Sequence, residues 1–176
     1  TLFAVTIMLA VFCLSGCYTR AQRLYRRAEA FMASGKDTLA AQEYRKLVME
    51  SPSSPLADDA LYKLAYLFRE EFELPRQAIN TYQSLTNQYE ESAYADDAYL
   101  WIAYIQRRDL QDAEAVRETC RTASSRFADN PRMMARCYMH LVQVLYETGN
   151  YEDAMAEAEM LERNYPEQTH QCSTAA

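Results

Sequence analysis

Two cysteines and one histidine have the residue types and spacing for metal or disulfide chemistry. Cys137 and His140 fall on one face of a predicted helix, and Cys120 falls on the helix before it. A structural zinc ion needs four such ligands, and the sequence offers no fourth, so no metal site is predicted. Cys120 and Cys137 lie equally far from the turn predicted at 128–129, so they can face each other across an antiparallel hairpin. Two alternatives stay open: a disulfide, which requires a close approach of the two helices, or two small buried side chains.

Catalytic patterns are missing from the sequence. It contains no glycine-rich phosphate loop, nucleophile elbow or metalloprotease motif. The two histidines, His140 and His170, leave little for acid–base catalysis. Paired aspartates stand near predicted helix starts, where the helix dipole favours negative charge: Asp58, Asp59, Asp96 and Asp97. We interpret them as capping and solubilising residues, and predict neither an enzyme nor a cofactor.

An uncharged stretch precedes Cys17. Residues 1–17 contain no Asp, Glu, Lys or Arg. As a helix the apolar run would span about 24 Å, less than the roughly 30 Å of a bilayer core. A secretory signal needs only about 7–15 apolar residues followed by small ones, and Ser15 and Gly16 supply these. The stretch therefore favours a signal peptide over an uncleaved anchor helix.

The residues 14–17, Leu-Ser-Gly-Cys, resemble the lipobox of bacterial lipoproteins. That resemblance implies cleavage before Cys17 and attachment of a lipid to its sulfur. It also implies the outer membrane, because Tyr18 stands where an aspartate favours retention in the inner membrane. The sequence begins at Thr1 without the methionine and basic residues of a complete signal, so residues 1–16 are predicted to be a signal peptide with a truncated start.

Composition identifies the class of the remaining chain. Of 176 residues, 24% are charged and 49% apolar, which is typical of a globular domain with a real core. Only three glycines occur, and helix-forming residues dominate, so helices are favoured over hairpins of strands. The formal charge of −7 repels phosphate backbones, so nucleic acid is not a predicted partner.

An internal repeat is the clearest signal in the sequence. The segments 54–66 and 92–104 share Ala-Asp-Asp-Ala and Ala-Tyr at an offset of 38 residues. The same step relates small and large apolar positions along the chain: Ala40, Ala78, Val116 and Ala154, and Leu47, Leu85, Ala123 and Leu161. Four units of two helices each predict an all-α solenoid. The predicted helices are 18–34, 38–50, 55–70, 76–89, 93–108, 111–127, 131–148 and 151–164.

Helix starts are predicted from capping residues at the same step. Ser54, Ser92 and Asn130 can accept hydrogen bonds from free backbone N–H groups as N-caps. Pro55 and Pro131 follow two of them at the first helical position, where a missing N–H costs nothing.

The order of large, small and aromatic positions in each unit, closed by Pro52 and Pro166 in the first and last, resembles the tetratricopeptide repeat, with a longer period. The resemblance implies one repeat domain over residues 17–166, with units near 18–52, 53–90, 91–128 and 129–166. Residues 167–176 are predicted to be a polar tail.

In tetratricopeptide solenoids the first helix of each pair lines the inner, concave face. Core positions predicted on these helices are Leu61, Leu64, Ala65, Phe68, Tyr99, Ile102 and Ala103. The side chains that helical spacing turns away from the core form the predicted partner-binding set: Tyr25, Tyr62, Tyr66, Arg69, Leu100, Tyr104, Arg107, Met139 and Tyr146. Tyrosine and arginine anchor many protein interfaces. The alternative is that several of these tyrosines only fill packing between repeats, and the role of Trp101 stays undecided.

A lipobox followed directly by such repeats resembles the BamD-like outer-membrane assembly lipoproteins. That resemblance implies a non-catalytic, lipid-anchored scaffold on the periplasmic face of the outer membrane of a Gram-negative bacterium, which binds proteins or peptides during β-barrel assembly. Known members have five units, whereas four are found here, which puts the contacts of the family's C-terminal half in doubt. The alternative is a periplasmic adaptor for cell-wall synthesis or envelope constriction, similar to the tetratricopeptide protein of the Tol–Pal system.

Overall fold

Helices joined by short turns account for nearly all of residues 20–168, the part of the chain that the computed structural model describes. They are α1 (20–33), α2 (Asp37–Glu50), α3 (Ala57–Glu70), α4 (Pro75–Gln88), α5 (Ala95–Arg108), α6 (Ala113–Phe127), α7 (Pro131–Glu147), α8 (Tyr151–Asn164) and α9, described over 166–168. Within this range no strand occurs. The predicted all-α fold of tetratricopeptide-type helical hairpins is confirmed.

The helix starts follow the predicted capping only in part. The Asn130 side chain accepts a hydrogen bond from Met133 N, and Pro131 opens α7, as predicted. Ser54 and Ser92 are not N-caps, which corrects the prediction. Each hydroxyl accepts from the backbone N–H two residues on, so the chain makes a turn first and the helix starts later, at Ala57 or Ala95.

Pro55 is displaced for the same reason. It lies in the turn before α3 rather than at the first helical position. At the start of α6, Asp112 caps the helix instead, because its carboxylate accepts from Ala115 N at 3.0 Å. The bounds of the other helices agree with the predicted ones to within two residues.

The turn inside each helical pair repeats the same backbone feature. Residues with a left-handed backbone occur at Gly35 (φ 67°), Glu73 (φ 53°), Gln111 (φ 52°) and Gly149 (φ 81°), each 38 residues after the last. Two of the four are not glycines, so the fold imposes this conformation even where a side chain opposes it. The repeat is therefore a property of the backbone as well as of the sequence.

The chain divides into two compact units between Thr81 and Tyr82, inside α4. In the first unit, α2 packs on α3. Its buried side chains include Leu24, Ala28, Tyr44, Leu47, Leu61, Leu64 and Phe68. In the second unit, α5, α6 and α7 pack on one another and α8 packs on α7. The core there includes Tyr99, Ala103, Val116, Met134, Leu141 and Val144. Every core position predicted on α3 and α5 is buried.

Cys120 and Cys137 form a disulfide, the pairing that the sequence leaves as one of two alternatives. Their Cα atoms are 5.7 Å apart, and both residues are fully buried. The bond joins α6 to α7, and so connects the third helical pair to the fourth. At the C-terminal end of α6, Arg126 donates to the carbonyl oxygens of Thr86 and Glu90, which fixes the end of α4 in the second unit.

The predicted signal peptide, the lipid attachment at Cys17 and residues 169–176 of the predicted tail lie outside the described residues. Within the described range, none of the helices combines the length and the apolar character needed to span a bilayer.

Candidate functional site

In the first unit, the first helices of two successive pairs lie side by side. The Tyr25 hydroxyl donates to the Asp59 carboxylate. One turn further along both helices, Lys63 Nζ lies 3.8 Å from Glu29 Oε1. Because both partners advance by four residues, α1 and α3 run in the same direction.

Tyr44 of α2 packs against the α1 residues of this contact. Its ring packs edge-on against Tyr25, with 5.8 Å between centroids, and its hydroxyl donates to Glu29. Burial, together with the neighbouring Glu29 carboxylate, raises the pKa of Tyr44 well above its ordinary value. Glu29 therefore accepts a hydrogen bond from the buried Tyr44 and also lies near Lys63. Tyr25 contacts both Asp59 and Tyr44.

The predicted binding residues of α3 follow this contact along the helix. Tyr62 is half-buried and Tyr66 is 38% exposed. Arg69 is paired with Glu70, and its side chain is only 15% exposed. Thus Tyr66 is the most accessible member of the predicted set in this unit.

In the second unit, α5 and α7 repeat the parallel arrangement with different chemistry. The Tyr104 and His140 rings meet edge-on, with 5.8 Å between centroids. Further along, one turn after Tyr104 on α5 and two turns after His140 on α7, the Arg107 guanidinium donates to the Glu147 carboxylate at 2.7 Å. The same guanidinium lies over the Tyr104 ring, 5.5 Å from its centroid, and the Trp101 ring packs edge-on against Tyr104 with 5.7 Å between centroids. Aromatic and cation–π contacts thus connect Trp101, Tyr104, Arg107 and His140, and an ion pair adds Glu147.

His140 is neutral in this environment. Burial, followed by the nearby cations of Arg107 and Arg136, lowers the pKa of His140 to about 4, although a hydrogen bond with Gln143 acts in the opposite direction. A neutral imidazole can both donate and accept hydrogen bonds at pH 7.

Two buried nitrogens of this site are unsatisfied. Arg107 Nε and His140 Nδ1 have no hydrogen-bond partner among the described residues. Such atoms are rare and costly in folded proteins, so each calls for a specific reason. One reason is a bound partner that, with a small side-chain rearrangement, presents a polar group to them.

Leu100 does not belong to a binding surface, which corrects the prediction. It is 5% exposed and lies in the core of the second unit with Met133 and Cys137. Leu100, Tyr104 and Arg107 form one stripe of α5, and α7 runs beside that whole stripe. Since α5 packs against both α6 and α7, its buried arc is wider than a helix with a single neighbour would have.

The two remaining predicted residues of this unit, Met139 and Tyr146, lie at different positions on α7. Met139 is half-buried on α7. Tyr146 is 66% exposed near the end of α7 and packs against Tyr151 of α8, with ring centroids 5.3 Å apart. The roles of His140 and Glu147 in this site were not predicted; the signal that could have found them is their offset of 36 to 40 residues from Tyr104 and Arg107, close to the repeat period.

A polar cleft of about 300 Å³ lies between α4, α5 and α6 of the second unit. Its buried polar residues include Thr86, Gln106 and Thr119, and Thr119 Oγ1 donates to Gln106 Oε1 at 2.8 Å. Among residues 20–168, no group of three or more His, Cys, Asp or Glu side chains is placed to hold a metal ion.

Comparison with known proteins gives one finding. The tetratricopeptide repeat family matches residues 59–92, which extend from the first turn of α3 to the turn after α4. Comparison with curated proteins gave no match to the chain. The chain carries a tetratricopeptide repeat, a helical fold that generally mediates protein–protein interaction rather than catalysis.

Proposed function

We propose that the chain is a non-catalytic scaffold that binds protein or peptide partners through the first helices of its repeats. The observation that carries the proposal is the site on α5 and α7. There the Tyr104 ring packs against Trp101 and the Arg107 guanidinium, while Arg107 Nε and His140 Nδ1 are buried without a hydrogen-bond partner among the described residues. Rigid aromatic and arginine side chains bind at a low entropic cost because few rotamers are lost.

The two unsatisfied nitrogens suggest how a partner is held. Arg107 Nε can only donate, whereas the neutral imidazole of His140 can accept at Nδ1 when its other nitrogen carries the proton. A peptide group offers one acceptor and one donor. The main chain of a bound segment therefore matches the two groups, and Trp101 and Tyr104 would contact its side chains.

The cellular setting is the finer part of the proposal and rests on resemblance. The lipobox-like residues 14–17 favour a lipid anchor on Cys17 at the periplasmic face of the outer membrane. Together with the repeats they favour a role in outer-membrane β-barrel assembly, like that of the BamD-like lipoproteins. The second candidate is an adaptor in envelope constriction, similar to the Tol–Pal tetratricopeptide protein.

The partner is identified by purifying the full-length tagged protein from its native membranes in mild detergent and analysing co-purifying proteins by mass spectrometry. A β-barrel assembly protein in near-equal amount supports the first role. Cell-wall synthases or Tol–Pal components support the second and contradict the first. The variant Trp101→Ala/Tyr104→Ala should lose the partner, whereas Met49→Ala, which alters a side chain 75% exposed on α2, should retain it. Retention by both variants would contradict the proposed site.

The lipid anchor has a separate test. Cys17→Ser should move the protein from the membrane to the soluble fraction, because it removes the sulfur that would carry the lipid. Tight membrane association of this variant would instead favour the uncleaved anchor helix.

A further inference from the structure

A second surface lies apart from the site on α5 and α7, at the turn between α7 and α8. Tyr146, Tyr151 and Met155 are 66%, 58% and 65% exposed. The two tyrosine rings are in edge-on contact at 5.3 Å, and Met155 follows Tyr151 by one helical turn on the same face of α8. We call these three residues the turn patch. Large apolar side chains grouped at a surface usually mark an interaction site.

The turn patch is surrounded by negative charge. Glu152 and Asp153 are exposed in the first turn of α8. Glu159 and Glu162 continue the line of Tyr151 and Met155 along the same helix, and both are exposed. None of these four carboxylates is in a salt bridge with a described residue, in contrast to Glu147 and Glu157, which pair with Arg107 and Arg117. The patch therefore combines aromatic faces with uncompensated anions.

The residues around the patch supply little positive charge of their own. Arg163 lies in the last turn of α8, three turns from Tyr151. Arg163 is the only lysine or arginine of α8, so the helix that carries Tyr151 and Met155 provides little positive charge to complement the patch.

We propose that the turn patch binds a segment of a partner protein in which lysine or arginine alternates with large apolar residues. The aliphatic stem of a lysine or arginine packs on Met155 and its charged end lies over a tyrosine ring, while Glu152 and Asp153 neutralise a neighbouring cation. The line from Tyr151 to Glu162 is about 16 Å long. About five residues of extended chain cover that length.

The test uses a short fluorescein-labelled peptide of alternating arginine and leucine, titrated against the full chain by fluorescence anisotropy. Tyr146→Ser/Tyr151→Ser, which leaves the charge unchanged, should weaken binding about tenfold, because it removes the aromatic faces. Glu152→Gln/Asp153→Asn should weaken it about fivefold and reduce its salt dependence. Circular dichroism melts of both variants check that the fold is kept.

The matched control is Glu90→Gln/Glu91→Gln, which removes the same two charges from exposed residues outside the patch. Its binding should equal that of the unmodified chain. An equal loss in the control, or full binding by the tyrosine variant, would overturn the proposal, because attraction by net charge alone would then explain the peptide's affinity.

Sedimentation velocity of the free chain tests whether a second copy of the chain occupies the turn patch instead. A dimer that Tyr151→Ser dissociates would assign the patch to a second copy and overturn the proposal. The inference does not depend on the proposed function. Trp101→Ala/Tyr104→Ala should leave the arginine–leucine peptide bound, so the two proposals can fail separately.

Discussion

The two units use the same contact between parallel first helices but build it from different chemistry. In the first unit, Tyr25 and Glu29 of α1 meet Asp59 and Lys63 of α3 through hydroxyl, carboxylate and ammonium groups. In the second, an aromatic pair and a guanidinium–carboxylate pair join α5 to α7. Buried side-chain atoms without a hydrogen-bond partner among the described residues occur in both units, with Glu43 Oε2 on α2 as an example in the first, but only the second contact includes a histidine. The backbone repeat thus specifies where the helices meet, and the side chains decide which chemistry each contact uses.

The largest expected difference between the units comes from the disulfide. The described residues of the first unit contain no cysteine, whereas Cys120–Cys137 joins two helices of the second. Cys120→Ala/Cys137→Ala should lower the free energy of unfolding of the second unit by about 3 kcal/mol, because the unfolded chain loses its cross-link. Urea denaturation followed by the fluorescence of Trp101, the single tryptophan, reports on this unit. An unchanged fluorescence midpoint would show that the bond adds no stability.

Acid should also affect the second unit selectively. The pKa of His140 is lowered to about 4 from 6.5, so the unfolded chain takes up its proton first as pH falls. This contribution to stability is complete above about pH 6.5 and is lost as pH falls from 6.5 toward 4. Around the imidazole lie the cations Arg107 on α5 and Arg136 on α7, the Tyr104 ring and the Gln143 amide.

At pH 5 the expected loss is about 2 kcal/mol relative to pH 7.5. His140→Gln should remove this part of the pH dependence, whereas the carboxylates contribute equally to both proteins. Urea denaturation of the two proteins at both pH values measures the difference. Equal pH dependence would mean that His140 is not the buried neutral base described above.

The ion pairs between the first helices should differ less in their interaction energy. Arg107 and Glu147 are in direct contact, and the Arg107 side chain is 14% exposed, whereas Lys63 and Glu29 are 3.8 Å apart and more exposed. A double-mutant cycle with Arg107→Met and Glu147→Gln should give a coupling of about 1 kcal/mol. The matched cycle with Lys63→Met and Glu29→Gln should give about 0.3 kcal/mol. A larger coupling in the first unit would reverse the comparison.

The turns should show no contrast between the units. Glu73 and Gln111 hold the left-handed backbone that Gly35 and Gly149 hold in the other two pairs. Glu73→Gly and Gln111→Gly should each stabilise the chain by about 0.5–1 kcal/mol, because glycine removes the strain of the side chain. Thermal melts of the two variants measure this, with Gly35→Ala as the control that should be destabilised. Destabilisation by either glycine would mean that its side chain makes a contact worth more than the strain.

Much of the fold could be predicted because the repeat is visible in single residues. The step from Ala40 to Ala78 to Val116 to Ala154 locates every second helix, since each of these positions must be small or apolar for the helices to pack closely. The predicted caps Ser54 and Ser92 were displaced because serine stabilises a turn before a helix as readily as the helix start itself. Which of the two occurs depends on the packing of the next residues.

The candidate site could be predicted only in part. Helical spacing predicts Tyr104 and Arg107 as members of the candidate site, and their binding role stays a prediction. It places the buried Leu100 on the wrong side of α5, because spacing within one helix does not show how many neighbours that helix has. His140 and Glu147 were missed for a related reason. Their roles depend on the lateral alignment of α5 with α7, which a periodic sequence permits at several offsets.

The position of the disulfide also determines how the chain can open locally. Helical repeats open locally because each repeat contacts only its neighbours. The bond from Cys120 to Cys137 ties α7 to α6, so a local opening that releases α8 leaves α7 docked. Amide hydrogens of α7 would then exchange as slowly as those of α6, and a protease would cut α8 first. The site on α5 and α7 would keep its shape during such openings, whereas the turn patch would be disrupted each time α8 is released.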